Sequence, residues 1–318
     1  MPARPRPGRR NPPLRRFSPA TSSASRPGVR GVGRKCPGNP GRPRMRAPVI
    51  DLQSHSTVSD GELPPAEVVR AAADAGVTTL ALTDHDAVDG IPEASEAARE
   101  AGIALVPAAE ISCIHSSIDD LHMLGYWIDI DAMRPICERA QHERVTRARE
   151  IVANLNSLGV EVDFDDAIAQ AGDASSVGRP HIAKAAGTEP DEMSAFFEEY
   201  LVPGAKAFVS RRWPTANEAV HLIREAGGTP VLAHPFWDID APSEVAALIA
   251  DLDLDGVEVF YPAHDRARTE FLLGVCSERG LAATGSSDFH GPHHKMFDRF
   301  GSYPTYDLGE PELPRRPE

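Results

Sequence analysis

The stretch DLQSHSTVSDG, Asp51 to Gly61, sets a histidine among small polar residues directly after a short apolar run. ALTDHD, LVPAAE, VLAHP and GSSDFH repeat the arrangement further along the chain. The residues gathered at these run ends are Gln53, His55, Asp60, His85, Glu110, His234, Asp288 and His290, with His122 inside LHMLGY. Imidazole and carboxylate together suit zinc, manganese or iron. The set is too large for one ion, because a mononuclear catalytic site uses about three protein ligands. Two or three ions sharing a bridging carboxylate would use all of it. Glu110 is the natural bridge, since a glutamate closing an apolar run would otherwise be a half-buried unpaired charge. Gln53 is the odd member, because a neutral amide binds such ions less well than imidazole.

Each residue alone has an ordinary explanation. A lone histidine after a strand is usually a hydrogen-bonded surface or core residue, and Asp60, Asp84 and Asp86 read equally well as helix caps or turn residues. Ligand types at several independent run ends are what point to metal. His115, His142, His221, His264, His293 and His294 fall in loops or on helical faces and are assigned no chemistry.

The positioning elements follow from the pattern. Helical segments ending on glycine alternate with short apolar runs: PPAEVVRAAADAG before VTTLALTDHD, IPEASEAAREAG before IALVPAAEIS, TANEAVHLIREAGG before TPVLAHP. Thr215 and Glu218 form a capping box at the start of the third helix. SEVAALIADLDLDG leads to VEVFYP, and RARTEFLLGVCSERG leads to LAATGSSDFH. With VIDLQ and LHMLGYW this predicts seven strands, apolar throughout, as in a parallel sheet covered on both faces. Polar residues at the ends of at least five strands suit the top of a closed barrel better than the single switch point of an open sheet. Residues 132–214 break the alternation, and 80 residues with their own helical spacing are too long for a loop. They read as a small helical insertion over the barrel mouth, with a helical layer remote from the site as the alternative. The expected organisation is a barrel over 47–131 and 215–307, the insertion over 132–214, and a tail over 308–318.

Composition narrows the function. Residues 1–46 hold twelve arginines, one lysine, ten prolines and no acid, which reads as a disordered basic tail. An over-extended gene start before Met45 is the favoured explanation, ahead of a genuine tail or a targeting segment. The remainder carries 20 basic against 47 acidic residues. So acidic a body disfavours extended nucleic-acid tracking, and a phosphorylated substrate must be attracted locally. No apolar run is long enough to span a membrane. Four scattered cysteines argue against disulfides or a zinc knuckle and fit the cytoplasm.

Taken together, DLQSHSTVSDG, ALTDHD, VPAAEIS, LHMLGY, GRPHIA, EEYLVPGAKAFV, GGTPVLAHP and GSSDFHGP resemble the PHP (polymerase and histidinol phosphatase) family, in particular its stand-alone phosphoesterases, which include 3′,5′-nucleoside bisphosphate phosphatases. The resemblance runs from about Val49 to Tyr303 and implies a distorted seven-stranded α/β barrel with a trinuclear site. It assigns Gln53, His55, Glu110 and Asp288 to one metal, Glu110, His122 and His234 to a second, and Asp60, His85 and His290 to a third. Gln53 stands where the family has the first histidine of an H-x-H pair. The resemblance further implies that Arg179 meets the substrate phosphate, assisted by His181 and Lys206. The expected function is hydrolysis of a phosphomonoester by metal-activated water with two or three divalent ions (Mn2+, Zn2+ or Fe2+). The expected substrate is a 3′,5′-nucleoside bisphosphate such as pAp or the 5′ end of a short RNA. A degenerate binding module, with Gln53 in its support, and a histidinol-phosphate phosphatase are the alternatives.

Overall fold

Seven strands follow one another in sheet order β1 to β7: β1 (Val49–Asp51), β2 (Val77–Leu82), β3 (Ala104–His115), β4 (Ile118–Tyr126), β5 (Thr229–Leu232), β6 (Gly256–Phe260) and β7 (Ala282–Gly285). The computed structural model describes residues 49–116, 118–171 and 177–317, so the tail expected over 1–46 lies outside the described residues. The first and last strands meet. Leu52 N–H, just past β1, donates to Gly285 O of β7 at 3.2 Å, and Ser54 and Phe289 form a parallel bridge beyond it. The sheet thereby curls into a distorted α/β barrel.

Helices α1 (Pro65–Ala75) and α2 (Ile91–Ala101) form where proline enters the first turn, and each ends at a left-handed glycine. α1 turns Val68, Val69 and Ala72 inward against Leu80 and Leu82 of β2. α7 (Ala216–Glu225) opens with the capping box: Thr215 Oγ1 accepts from Glu218 N–H at 3.2 Å while Glu218 Oε2 accepts from Thr215 N–H at 2.8 Å. α8 (Pro242–Asp251) and α9 (Arg266–Arg279) share one core with residues of β5 to β7.

One expectation is corrected. The strands are not all parallel: β4 runs antiparallel to both β3 and β5. Only two residues separate β3 from β4, and a parallel partner needs a crossover of about a dozen or more. An apolar run carries no record of its direction. The reversal matters, because it brings the first half of β4, with His122, to the same end as the C-termini of the other strands.

Between β4 and β5 lie α3 (Ile130–Ser157), α4 (Phe164–Gln170), α5 (Arg179–Ala185), α6 (Met193–Phe196) and a π-turn at Phe197–Leu201. The first turns of α3 send Met133 and Cys137 into the barrel's helix-side core. Its second half joins a separate core in which Ile151, Val152 and Leu155 meet Val162, Ile182 and Leu201. At the opposite end of the barrel the last residues lie against strand ends: Trp127 Nε1 donates to Pro314 O at 2.9 Å and Glu312 N–H to Ala283 O at 2.8 Å.

The barrel interior is filled by Leu52, Ala81, Val106, Ala108, Leu124, Tyr126, Val231 and Ala233, so the site sits above a packed floor. Leu124 is fully buried there. Leu124→Ala is expected to lower unfolding free energy by about 2–5 kcal/mol, read from the urea midpoint. A loss below about 1 kcal/mol would mean that the floor is loosely packed.

Candidate metal centre

Glu110, fully buried in β3, is the hub. His122 Nδ1 lies 2.9 Å and His234 Nε2 3.1 Å from its Oε1. On the other oxygen, His55 Nε2 lies at 3.1 Å, His85 Nδ1 at 3.4 Å and Gln53 Nε2 at 3.0 Å. His55 Nε2 is also 3.1 Å from Asp288 Oδ1, and Asp60 stands 3.6 Å from His290 and 3.8 Å from His85. All nine residues expected at the centre are therefore gathered at one end of the barrel.

Three overlapping groups have ligand atoms within 4.8 Å of one another: His55, Glu110 and Asp288; His85, Glu110 and His122; His55, Asp60, His85 and His290. Gln53 Oε1, both His55 ring nitrogens, His85 Nδ1 and Asp288 Oδ1 are buried and make no well-aligned hydrogen bond, short as several of these separations are. Buried polar atoms are normally satisfied, so unpaired ligand-type atoms converging on one point fit a cation in their midst. The electrostatics agree. Burial works against the Glu110 charge, yet His85 and His122 with their neighbours hold it well below the usual carboxylate range. Burial drives His85 down to about 4 although Glu110 and Asp60 pull the other way. Burial also works against charge on His55, His122 and His234, but their carboxylate partners hold each above its ordinary value. Two buried carboxylates thus demand positive charge, which protons or metal ions can supply.

The local chain geometry is specific. Gly61 lets the loop fold back, since a Cβ there would stand 2.4 Å from His55 O; the fold-back delivers Asp60. Asp84 ties down the same loop, accepting from Ser56 N–H, Ser56 Oγ and Ser59 Oγ at 2.7 Å each. Asp84 is therefore a loop anchor rather than a helix cap. Asp86, His234 and Asp288 all hold positive φ, a strained backbone for non-glycine residues that clusters at functional sites.

Sequence reading missed several supports. Tyr261 OH donates to Asp288 Oδ2 at 2.8 Å, leaving Oδ1 toward the centre. Glu258 accepts from His234 N–H at 2.9 Å, and burial pushes it up to about 8. Asp51 accepts from Ser287 N–H at 2.8 Å and so fixes the loop before Asp288. The signal for Glu258 was available: a glutamate inside the apolar run VEVF poses the same problem as Glu110.

A cavity of about 430 Å³ adjoins the centre between barrel and helices. Arg179 and His181 of α5 line it as expected, but Lys206 does not; it is 57% exposed and pairs with Glu199 at 2.6 Å. Arg144, Arg147, Lys184 and Arg211 line the cavity and were not foreseen. Arg179 donates to Asp120 at 2.5 Å. Arg144 donates to Asp86 at 2.6 Å, while Arg147 Nη2 and Arg211 Nε are buried without partners. Burial and like charge lower these guanidiniums, Arg147 to about 9 beside Arg211 and Arg179, Arg211 to about 10 beside Arg144. Crowded, incompletely paired guanidiniums are a receptor for an anion.

A seven-stranded barrel with a cluster of imidazoles and carboxylates at its mouth defines a metal-dependent hydrolase. The PHP domain family matches residues 51–200. A 3′,5′-nucleoside bisphosphate phosphatase from Chromobacterium violaceum is 34% identical over 251 residues, covering 76% of this chain and 87% of that protein. A 5′-3′ exoribonuclease, Rnm, from Salmonella typhimurium is 33% identical, covering 77% and 86%. Among solved structures, a Chromobacterium violaceum amidohydrolase with bound sulfate superposes with TM-score 0.72 at 31% identity over 82% of this chain and 93% of that one. The chain belongs to the PHP family, among its metal-dependent phosphoesterases.

Asp86 is fully buried and couples Arg144 of α3 to the barrel. Arg144→Met is expected to destabilise by roughly 3 kcal/mol, because it leaves the buried Asp86 carboxylate only the more distant Arg211 and the Ser112 N–H. Adding Asp86→Asn should recover part of that loss in a double-mutant cycle by chemical denaturation. Strictly additive losses would show the two to be uncoupled.

Proposed function

We propose that this chain hydrolyses phosphomonoesters, with 3′,5′-nucleoside bisphosphates such as pAp as the preferred substrate and the 5′ ends of short RNA as the second. The carrying observation is a shared wall: His85, His122 and His290 belong both to the carboxylate–imidazole cluster and to the arginine-lined cavity. A phosphate at the cluster therefore leaves room for a second anionic group among the arginines. The names of the relatives, a bisphosphate phosphatase and exoribonucleases, support a substrate of that kind.

The proposed metal set is Gln53, His55, Glu110 and Asp288; Glu110, His122 and His234; and Asp60, His85 and His290, holding two or three Mn2+, Zn2+ or Fe2+ ions. Such ions lower the pKa of water to about 7 and screen the phosphoryl oxygens. The protein's own groups do the rest. Glu110 and Asp288, fixed by their neighbours, would hold the ions in place; Arg179, with a planar fork, orients a phosphate against that end of the cavity. Arg144 and Arg211, braced by Asp86 and Asp120, keep the cavity cationic before substrate arrives. We assign the helical stretch 132–214 to an insertion that supplies this anion pocket. Three buried free cysteines and, among the described residues, no helix long and apolar enough to cross a membrane support the cytoplasm as the compartment.

Phosphate release from pAp by protein beginning at Met45 tests the reading. Release that stops with EDTA and returns with Mn2+ is expected. Metal binding with no release from pAp, short RNA or histidinol phosphate would replace it by a binding role.

Gln53 generates a separate prediction. Its Nε2 donates to Glu110 and its Oε1 is buried without a partner, so it offers a cation at most one neutral amide oxygen, a weaker ligand than imidazole. Gln53→His supplies an acceptor nitrogen in its place. After dialysis the variant should retain about one more divalent ion per chain than the natural protein, measured by elemental analysis. Equal metal content would show that the Gln53 amide oxygen already serves as a ligand.

A further inference from the structure

The metal centre has a second neighbour of opposite character. A smaller cavity, about 130 Å³, shares His85, His122 and His290 with the arginine-lined one and opens on the other side toward Trp237, Tyr261 and Phe297. Trp237 stands out among them. It follows His234 by three residues, in a turn closed by Trp237 N–H to His234 O at 2.9 Å, and remains 48% exposed.

The protein's other two tryptophans do structural work. Trp127 donates its indole N–H to Pro314 O, and Trp213 is buried beneath the Arg139 guanidinium, 3.9 Å from its ring centre. The Trp237 indole N–H has no acceptor among the described residues. Its ring neighbours are His234 at 6.0 Å and 63°, Tyr261 at 6.3 Å and 90°, and Phe297 at 5.9 Å and 45°. All three brace the indole by edge or tilt, and none lies parallel against it. Half exposed at the rim of a cavity beside the metal centre, the indole offers a face whose apolar area a flat ring can bury. What is held edge-on by its neighbours, with no parallel partner, is a platform for a flat ring.

We propose that Trp237 is the stacking subsite for the aromatic base of the substrate, so that the base lies on the Trp237 side of the metal centre and the second phosphate on the arginine side. The inference rests on the phosphoesterase reading and deepens it. It makes the preferred substrate a nucleotide rather than an aliphatic phosphate. A histidinol-type substrate has a much smaller ring, and a sugar phosphate has none.

Adenosine 3′,5′-bisphosphate and the base-less ribose 3,5-bisphosphate, compared on the metal-loaded protein, form the test. The natural protein should show a KM about tenfold lower for the adenosine compound, the range of one base–aromatic stack. Trp237→Ala should raise that KM about tenfold and close the gap, the loss falling on KM rather than kcat, as for uniform binding. Trp237→Phe should keep most of the preference. Intrinsic fluorescence should be quenched by the adenosine compound in the natural protein and not in Trp237→Phe, where Trp127 and Trp213 remain. Equal KM values for the two compounds in the natural protein, or an undiminished preference in Trp237→Ala, would overturn the base subsite while leaving the phosphoesterase standing. Turnover of neither compound would overturn both.

Discussion

Everything at the mouth of this barrel is arranged around one unfavourable fact: the Glu110 carboxylate is fully buried. A charge removed from water must be matched by opposite charge and hydrogen bonds or it destabilises the fold. Glu110 meets four imidazoles and one amide within 3.4 Å, contributed by residues beside β1, β2, β4 and β5. The strands could be ordered otherwise and still bury their apolar side chains. Only an order that brings these particular ends together satisfies Glu110. The antiparallel β4 belongs to this logic, because it delivers His122 from mid-strand to the same point.

The support given to the ligands shows where rigidity comes from. Asp84 anchors the loop that carries Asp60, Tyr261 turns Asp288, Glu258 holds the backbone of His234, and Asp51 holds the residue before Asp288. Each is a buried acid or phenol bonded to a neighbour of the centre, and groups in such positions orient ligands and tune them. Positive φ at Asp86, His234 and Asp288 costs on the order of 1–3 kcal/mol each, a strain that persists only where surrounding bonds over-determine it.

How much of this was legible beforehand depended on the kind of signal. The seven strands, the capping box at Thr215 and the convergence of Gln53, His55, Asp60, His85, Glu110, His122, His234, Asp288 and His290 could be read, because ligand residues stand out against apolar runs. Direction could not: β4 has the composition of its parallel neighbours, and only the two-residue connection to β3 betrays it. The arginines were only partly legible. Arg179 sits in a motif, whereas Arg144 and Arg147 lie on a long polar helix and Arg211 in a run beside another arginine; which of them face the cavity depends on how α3 packs. Lys206 was misplaced for the same reason, since a lysine near a motif carries no sign of facing outward to Glu199.

The charge distribution has a feature that the net charge hides. The sequence outside residues 1–46 carries 47 acids against 20 basic residues, so a long polyanion meets a repulsive surface. Inside the mouth the sign reverses, with Arg144, Arg147, Arg179, Lys184 and Arg211 around one cavity. Fields are screened over about 10 Å at ordinary ionic strength, so a small anion that enters feels the cavity while a long chain feels the surface as well. Small phosphate compounds fit both constraints, the proposed bisphosphates and short chain ends among them. On the proposed reading the acidic exterior and the basic mouth act together as one filter, whose positive charge comes from the stretch between β4 and β5 that carries all four arginines of the cavity.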